Sequence, residues 1–153
     1  MTSKPENVFR RAIHKYGKSL PEFPYHMKNS NPFTGGVPDD WYSGTYADLW
    51  VEYKFVVLPA RSKTIIHIDL SELQRSWLRR RYAEGRNVAV VVGSKTYCAV
   101  YQNLAWETNP TQEQFIGMSL SKQQLAHWLV LQTMRGVDVK DIISSSKRSG
   151  AGL

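Results

Sequence analysis

GGVPDDWYSGTYADLWVEYKF, residues 35–55, holds the pattern that decides the fold of this chain. From residue 47 to 58 apolar and polar side chains alternate, which predicts a β-strand. Leu49, Val51, Tyr53, Phe55 and Val57 fall on one face; Asp48, Trp50, Glu52, Lys54 and Val56 fall on the other. Glu52 and Lys54 must therefore project to the same side, while Tyr53 points into the opposite layer. Upstream, Pro38 is followed by two consecutive aspartates, Asp39 and Asp40. One reading is structural: a solvated strand face carrying a cross-strand ion pair, and a turn built on Pro-Asp and neighbouring glycines. The other is chemical. Phosphodiester hydrolysis needs oxygen ligands for a hard divalent cation such as Mg²⁺, and two carboxylates with a backbone carbonyl can supply them. It also needs a nearby cation to offset charge growing on the phosphorane, and a lysine can supply that.

Outward from this stretch the chain reads as helices and strands in turn. A helix is expected over residues 5–16, with Phe9, Ala12, Ile13 and Tyr16 on its apolar face and Ser3 with Glu6 at capping-box spacing. The Pro- and Asn-rich residues 20–44 read as loop with at most one short strand. After the 47–58 strand, a second strand is expected at 64–68. A helix follows over 71–84, with Leu70, Leu73, Trp77, Leu78 and Arg81 at helical spacing and Gly85 as its stop. NVAVVVG, residues 87–93, is a buried strand, and KTYCAVY, residues 95–101, its neighbour. A third helix starts near Ser121, capped with Gln124 and stapled by Leu120 and Leu125; Leu125, Trp128, Leu129 and Gln132 line one side and Gly136 ends it. This order implies an α/β fold: a mixed sheet covered by helices, with its site on or beside a sheet edge.

The chain has 153 residues, 42% hydrophobic and 22% charged, which suits one domain with a real core. That domain is expected over residues 1–143, followed by a frayed basic tail, SSSKRSGAGL, at 144–153. No apolar run approaches the roughly 20 residues that cross a bilayer, and the N-terminus has no apolar h-region. Cys98 is the one cysteine, so there is no internal disulfide framework; it reads as a buried small hydrophobe. These features lead to an expected cytoplasmic location and no membrane partner. Twenty Lys and Arg against 13 Asp and Glu give a net charge of +7, which favours a polyanionic partner. A basic surface without nucleic acid stays equally open on charge alone.

Pro38-Asp39 and Glu52-Tyr53-Lys54, with residues 40–51 between them, resemble the signature of the PD-(D/E)xK nuclease superfamily. Within it, GGVPDDWY…LWVEYKF followed by LSELQRSWLRRRYAEGRNVAVVVG is similar to the virus-type replication–repair (VRR-NUC-like) group, phage members included. The resemblance covers about residues 6–93. It implies a restriction-endonuclease-like core in which a central mixed β-sheet is flanked by helices, in the cytoplasm of a bacterial host if the chain is phage-encoded. It makes Asp39 and Glu52 metal ligands, the Tyr53 carbonyl a further ligand, and Lys54 the residue that places the attacking water. Glu6 matches an acidic residue that relatives send towards the metal; the capping box with Ser3 is its other reading. Gln74 matches a glutamine near the scissile phosphate, and its other reading is a capping box with Ser71. Either Asp39 or Asp40 can reach the metal, and the motif alignment favours Asp39. The implied activity is Mg²⁺-dependent hydrolysis of DNA (Mn²⁺ substituting), on branched DNA such as Holliday junctions, since relatives of this size often act on it as homodimers. A non-specific or nicking nuclease is the first alternative, a non-catalytic DNA-binding protein the second.

The four histidines, His14, His26, His67 and His127, show no metal-ligand spacing, which speaks against a zinc site. His67 reads as a structural histidine or as one facing the site. No G-x-S-x-G elbow supports serine hydrolase chemistry. Arg61 and Lys63, just after the strand, and Arg75 and Arg79, one helical turn apart, are the expected DNA contacts. Arg81 lies nearer the apolar stripe, where its stem can pack. Trp41 and Tyr42 are read either as core or as a stack for an unpaired base.

Overall fold

Val88–Gly93 forms β4, and all six of its residues are buried. A strand this uniformly apolar needs cover on both faces, and the rest of the fold supplies it. The computed structural model describes residues 4–29, 35–136 and 142–143; Ser3 and the 144–153 tail lie outside them. Helix α1 (Pro5–Gly17) is followed by β1 (Tyr25–Lys28), β2 (Asp40–Ser43), β3 (Asp48–Phe55), α2 (Glu72–Ala83), β4, β5 (Cys98–Tyr101), α3 (Gln112–Gly117) and α4 (Lys122–Met134). The five strands make one mixed sheet in the order β1-β2-β3-β4-β5. β3 and β4 are parallel and joined by a crossover through α2, and the other neighbours are antiparallel. This is the α/β architecture expected from the element order.

The pleat of β3 divides the interior into two cores. Leu49, Val51 and Tyr53 join Tyr42, Ala89 and Val91 under α1 and α4. Trp50 and Val56 face the other way, with Val88, Val90, Val92 and Leu78 of α2. Burying a side chain of this size is worth roughly 2 kcal/mol, so the alternation fixes which face of β3 looks at which helix. Slipping it by one residue would put Glu52 and Lys54 beneath α1.

Three helices open on the same device. Ser71, Thr111 and Ser121 each accept the amide of a glutamine three residues on, and that glutamine's side chain returns to the cap amide. Helix α1 opens differently: its N-cap is Lys4, with Pro5 in the first turn and no side-chain cap bond. The capping box expected of Ser3 with Glu6 lies outside the described residues. Gly44 is required by close approach, because a Cβ there would lie 2.5 Å from the Thr133 carbonyl oxygen. Thr133 O also accepts the amides of Tyr46 and Ala47, each at 2.9 Å, so the β2–β3 hairpin is tied to the end of α4.

Several expectations need correction. Residues 64–68 form no strand of the sheet. Ile66 and Ile68 are buried by alternation, but their amides go to Pro110 O and the Asn109 side chain, and only an isolated bridge joins Ile65 to Thr111. The Pro-rich stretch holds two strands, not one at most. Tyr16 is 45% exposed and Leu73 64% exposed, so neither belongs to its helix's buried stripe. On α1 the buried place goes instead to Arg10, for an electrostatic reason.

Asp40 is fully buried on the α1 side of the sheet and accepts from Arg10 Nε at 2.9 Å and pairs with His26 Nε2. Beside it His14 Nε2 meets the Tyr42 hydroxyl at 2.6 Å, and that hydroxyl meets Tyr53 at 2.6 Å. A buried ion pair broken on one side leaves a charge without compensation. Asp40→Ala is expected to cost about 3 kcal/mol or more in urea unfolding, while Asp48→Ala, at the exposed end of β3, costs about 0.5 kcal/mol or less. Equal small losses would mean that the Arg10–Asp40 pair does not hold α1 to the sheet.

Candidate active site

Asp40 pairs with Val51 where the β2–β3 ladder begins, so Asp39, one residue earlier, lies across from Glu52. Successive side chains on a strand alternate. Asp40 therefore turns towards Arg10, and Asp39 turns to the face that carries Glu52. The main chain locks the pair together. The Asp39 amide donates to Glu52 Oε2 at 3.2 Å, and the Tyr53 amide donates to Asp39 Oδ2 at 3.4 Å. Lys54 Nζ stands 3.5 Å from Glu52 Oε1. The structure thus brings together Asp39, Glu52 and Lys54 and places Asp40 on the other face, against Arg10 and His26.

Backbone direction adds an oxygen. The amides of Trp50 and Val56 reach Asn87 O and Gly93 O on the β4 side, so even-numbered residues of β3 address β4 and odd-numbered ones address β2. β2 ends at the Asp40–Val51 pair, which leaves the Tyr53 carbonyl facing the gap beside Asp39. The site is consequently not at a sheet edge, as expected, but on the central strand where its neighbour stops short.

Gln74 joins the site through its cap. Its Oε1 accepts the Ser71 amide at 2.9 Å, and its Nε2 donates to Glu52 Oε1 at 2.7 Å. The two readings of Gln74 are the same geometry: the cap orients the amide so that its NH₂ must face the carboxylate. Through this bond the first turn of α2 lies beside the carboxylates. Glu6 comes in from α1, close enough for its charge to act on Asp39.

The electrostatics follow from this crowding. Burial pushes the Asp39 carboxyl up, helped by the charges of Asp40 and Glu6 and opposed by the Tyr53 amide and Lys54. Burial also pushes Glu52 up to about 8, with Asp39 adding to it and Lys54 opposing it. Asp39, Glu52 and the Tyr53 carbonyl form an all-oxygen donor set of the kind a hard divalent cation takes, and a cation there would relieve the like-charge penalty on Glu52. The residues present fit such an ion.

The other expected site residues are placed as follows. Arg79 Nη2 lies 3.1 and 3.0 Å from the two carboxylate oxygens of Glu107, and Arg75 Nη1 lies 3.8 Å from Glu107. Both expected DNA contacts on α2 are thus engaged with a carboxylate. Arg61 and Lys63 are exposed. His67 is exposed beside Asn109 Nδ2, 3.4 Å away, and does not face the carboxylates. Cys98 is buried, its thiol donates to Leu120 O, and burial pushes it up to about 12, as fits an inert core residue. A cavity of about 720 Å³ between α1 and the end of β3, lined by Phe9, Phe55, Val57 and Lys95, contains none of the carboxylates.

Sequence spacing missed one association. His14 and His26 come together with Asp40, their candidate ligand atoms within 4.8 Å of one another. They arise from α1, β1 and β2, so no local pattern could show it. The surroundings are cationic: burial lowers His14 to about 3, helped by His26, Arg10 and Lys18. With Arg10 already on Asp40, this group reads as a neutralised structural network.

The raised Glu52 has a consequence for stability. In the metal-free protein the folded state holds this proton up to about 8, whereas the unfolded chain releases it near the ordinary 4.5. Stability from this group is therefore full below pH 4.5 and falls as pH rises towards 8, at most about 1.4 kcal/mol per pH unit. In EDTA, Glu52→Gln is expected to raise the melting temperature more at pH 8 than at pH 5. An equal change at both pH values would contradict the raised carboxyl.

No family model matches the chain, and no curated protein matches it. Among solved structures the chain is similar to the Holliday junction resolvase Hjc of Archaeoglobus fulgidus, an archaeal hyperthermophile. The two are 14% identical over 80% of this chain and 98% of that one, with a TM-score of 0.48.

Proposed function

We propose that this chain is a metal-dependent endodeoxyribonuclease of the PD-(D/E)xK type, with Asp39, Glu52 and Lys54 at its centre. The observation that carries the reading is the pairing of a buried carboxylate, Glu52, with a half-buried one, Asp39, on one side of the pleat, joined through the amides of residues 39 and 53, with an ammonium group 3.5 Å from Glu52. A solvated strand face does not explain it, because Glu52 is only 2% exposed and a carboxylate buried beside another costs free energy unless a cation meets it.

Each group has a role that follows from its position. Asp39, Glu52 and the Tyr53 carbonyl would hold Mg²⁺, or Mn²⁺ in its place, with Glu6 available from α1 as a further oxygen ligand. The bound ion would acidify water and polarise the phosphate. Lys54 lies where it orients the attacking water and offsets negative charge that grows on the phosphorane. Gln74, its amide fixed by Ser71, donates to Glu52 and holds that carboxylate in one rotamer. Arg61 and Lys63 stand exposed beyond the strand for phosphate contacts.

The substrate we propose is branched DNA, with two chains making paired cuts. Support for this finer reading is the sequence resemblance to replication–repair nucleases together with the basic charge of +7. Pure protein with a synthetic four-way junction and a supercoiled plasmid, in Mg²⁺ or EDTA, separates the options. Symmetric junction cuts in Mg²⁺ are expected. Indiscriminate plasmid degradation would select a general nuclease, and binding without cutting in any metal would overturn the enzymatic reading. Glu52→Gln and Lys54→Ala are each expected to lose cleavage by about a hundredfold or more, while binding the same junction in EDTA within about twofold of wild type. Wild-type turnover by Lys54→Ala would remove the role given to that residue.

A further inference from the structure

Register places a row of large side chains beside the carboxylates. Met27 pairs with Trp41, Trp41 with Trp50, and Trp50 with Val88, and residues paired across strands share a face of the sheet. The row lies two residues along the strands from Asp39 and Glu52, about 7 Å at strand rise, and on their face. Its rings touch in sequence. Tyr25 and Trp41 centroids are 5.8 Å apart, Trp41 and Trp50 6.2 Å, and Trp50 and Trp77 of α2 5.6 Å. The Arg81 guanidinium lies 5.8 Å from the Trp77 ring centre.

Nothing among the described residues covers the β1–β2 end of this row. On this face the core gathers over β4 and β5, while α1 and α4 pack on the other side. Tyr25 is 64% and Met27 46% exposed, and Trp41, Trp50 and Trp77 are half-buried. A contiguous aromatic face of this kind marks an interaction surface. Its rim states the partner's charge. One cleft beside it is lined by Val37, Trp77, Arg80, Arg81 and Glu84, and another by Asp48, Trp50, Arg81 and Arg86, so arginines outnumber carboxylates in both. Arg75 and Arg79 are occupied by Glu107, and Arg81 by Glu84. Arg80 and Arg86 are exposed and enter no ion pair among the described residues. Val37 belongs to the loop that delivers Asp39, so the surface is continuous with the carboxylate site.

We propose that Tyr25, Trp41 and Trp50 are a stacking platform for unpaired bases of a DNA strand whose scissile phosphate lies at Asp39 and Glu52, with Arg80 and Arg86 taking the neighbouring phosphates. Aromatic faces accept any base, and flanking arginines follow the backbone. This deepens the nuclease reading and rests on it: the enzyme selects DNA whose bases next to the cut are unpaired, as at a flap or at the opened centre of a junction.

The test measures binding apart from cutting. Wild type, Trp41→Ala, Trp41→Phe, Tyr25→Ala and Arg86→Ala are titrated in EDTA with a fluorescein-labelled oligo-dT and with a duplex of equal length, each variant's fold being checked by circular dichroism. Trp41→Ala is expected to weaken oligo-dT binding by about tenfold or more and duplex binding by less than about twofold, and Trp41→Phe to restore most of the loss. Tyr25→Ala, exposed and safe for the fold, and Arg86→Ala are expected to weaken oligo-dT binding severalfold. Unchanged oligo-dT affinity in Trp41→Ala and Tyr25→Ala would overturn the platform. So would a shift from dimer to monomer in light scattering with oligo-dT affinity intact, because the face would then belong to a second copy of this chain. Loss of Mg²⁺-dependent cleavage on every substrate would instead strike the nuclease reading, while the EDTA titrations still report on the platform.

Discussion

The structure depends on one constraint: β2 ends where β3 still has a carboxylate to present. Ladder and pleat together put Asp39 and Glu52 on the same face, and the amides of residues 39 and 53, released from strand pairing, bind the two carboxylates to each other. Had β2 begun two residues earlier, the Tyr53 amide would be drawn into the ladder and the gap beside it would close. The charge problem created there is answered partly by Lys54 and Gln74, and the raised Glu52 shows that this answer is incomplete.

The two consecutive aspartates divide the molecule's labour. Asp40 faces inward, paired with the Arg10 guanidinium and in contact with the His26 ring, which fastens α1 across the sheet and so brings Glu6 towards the site. Asp39 faces the other way and keeps its oxygens for the α2 side. A single step along a pleated strand separates a structural ion pair from a candidate metal ligand. The network His14–Tyr42–Tyr53 beneath β3 keeps that strand's inner face polar but satisfied, and the open face beyond Glu52 carries the tryptophans.

Local pattern carried much of this. The alternation from Leu49 to Phe55 assigned both faces of β3 correctly, whereas Val57, expected on the apolar face, lies past the end of the strand and is 89% exposed; the glutamines at 74 and 124 marked two helix starts. Thr111 and Gln114 have the same cap spacing at the start of α3, but that helix has only six residues, too few to show a periodic apolar face. Residues 64–68 alternate like a strand, but tertiary pairing with 109–111 took their amides, and periodicity cannot show where an amide goes. The His14–His26–Asp40 association and the capture of Arg75 and Arg79 by Glu107 depend on contacts between distant segments. Exposure of Trp41 depends on which part of the sheet the helices leave bare. None of these is a property of a local window.

The centre of this account is that the oxygens of Asp39, Glu52 and the Tyr53 carbonyl share one divalent cation. A crystal soaked in Mn²⁺ and measured for anomalous scattering reads that directly. The account predicts a peak between those three oxygens, lost in Glu52→Gln. A peak at His14, His26 and Asp40 instead, or none at saturating Mn²⁺, would contradict it.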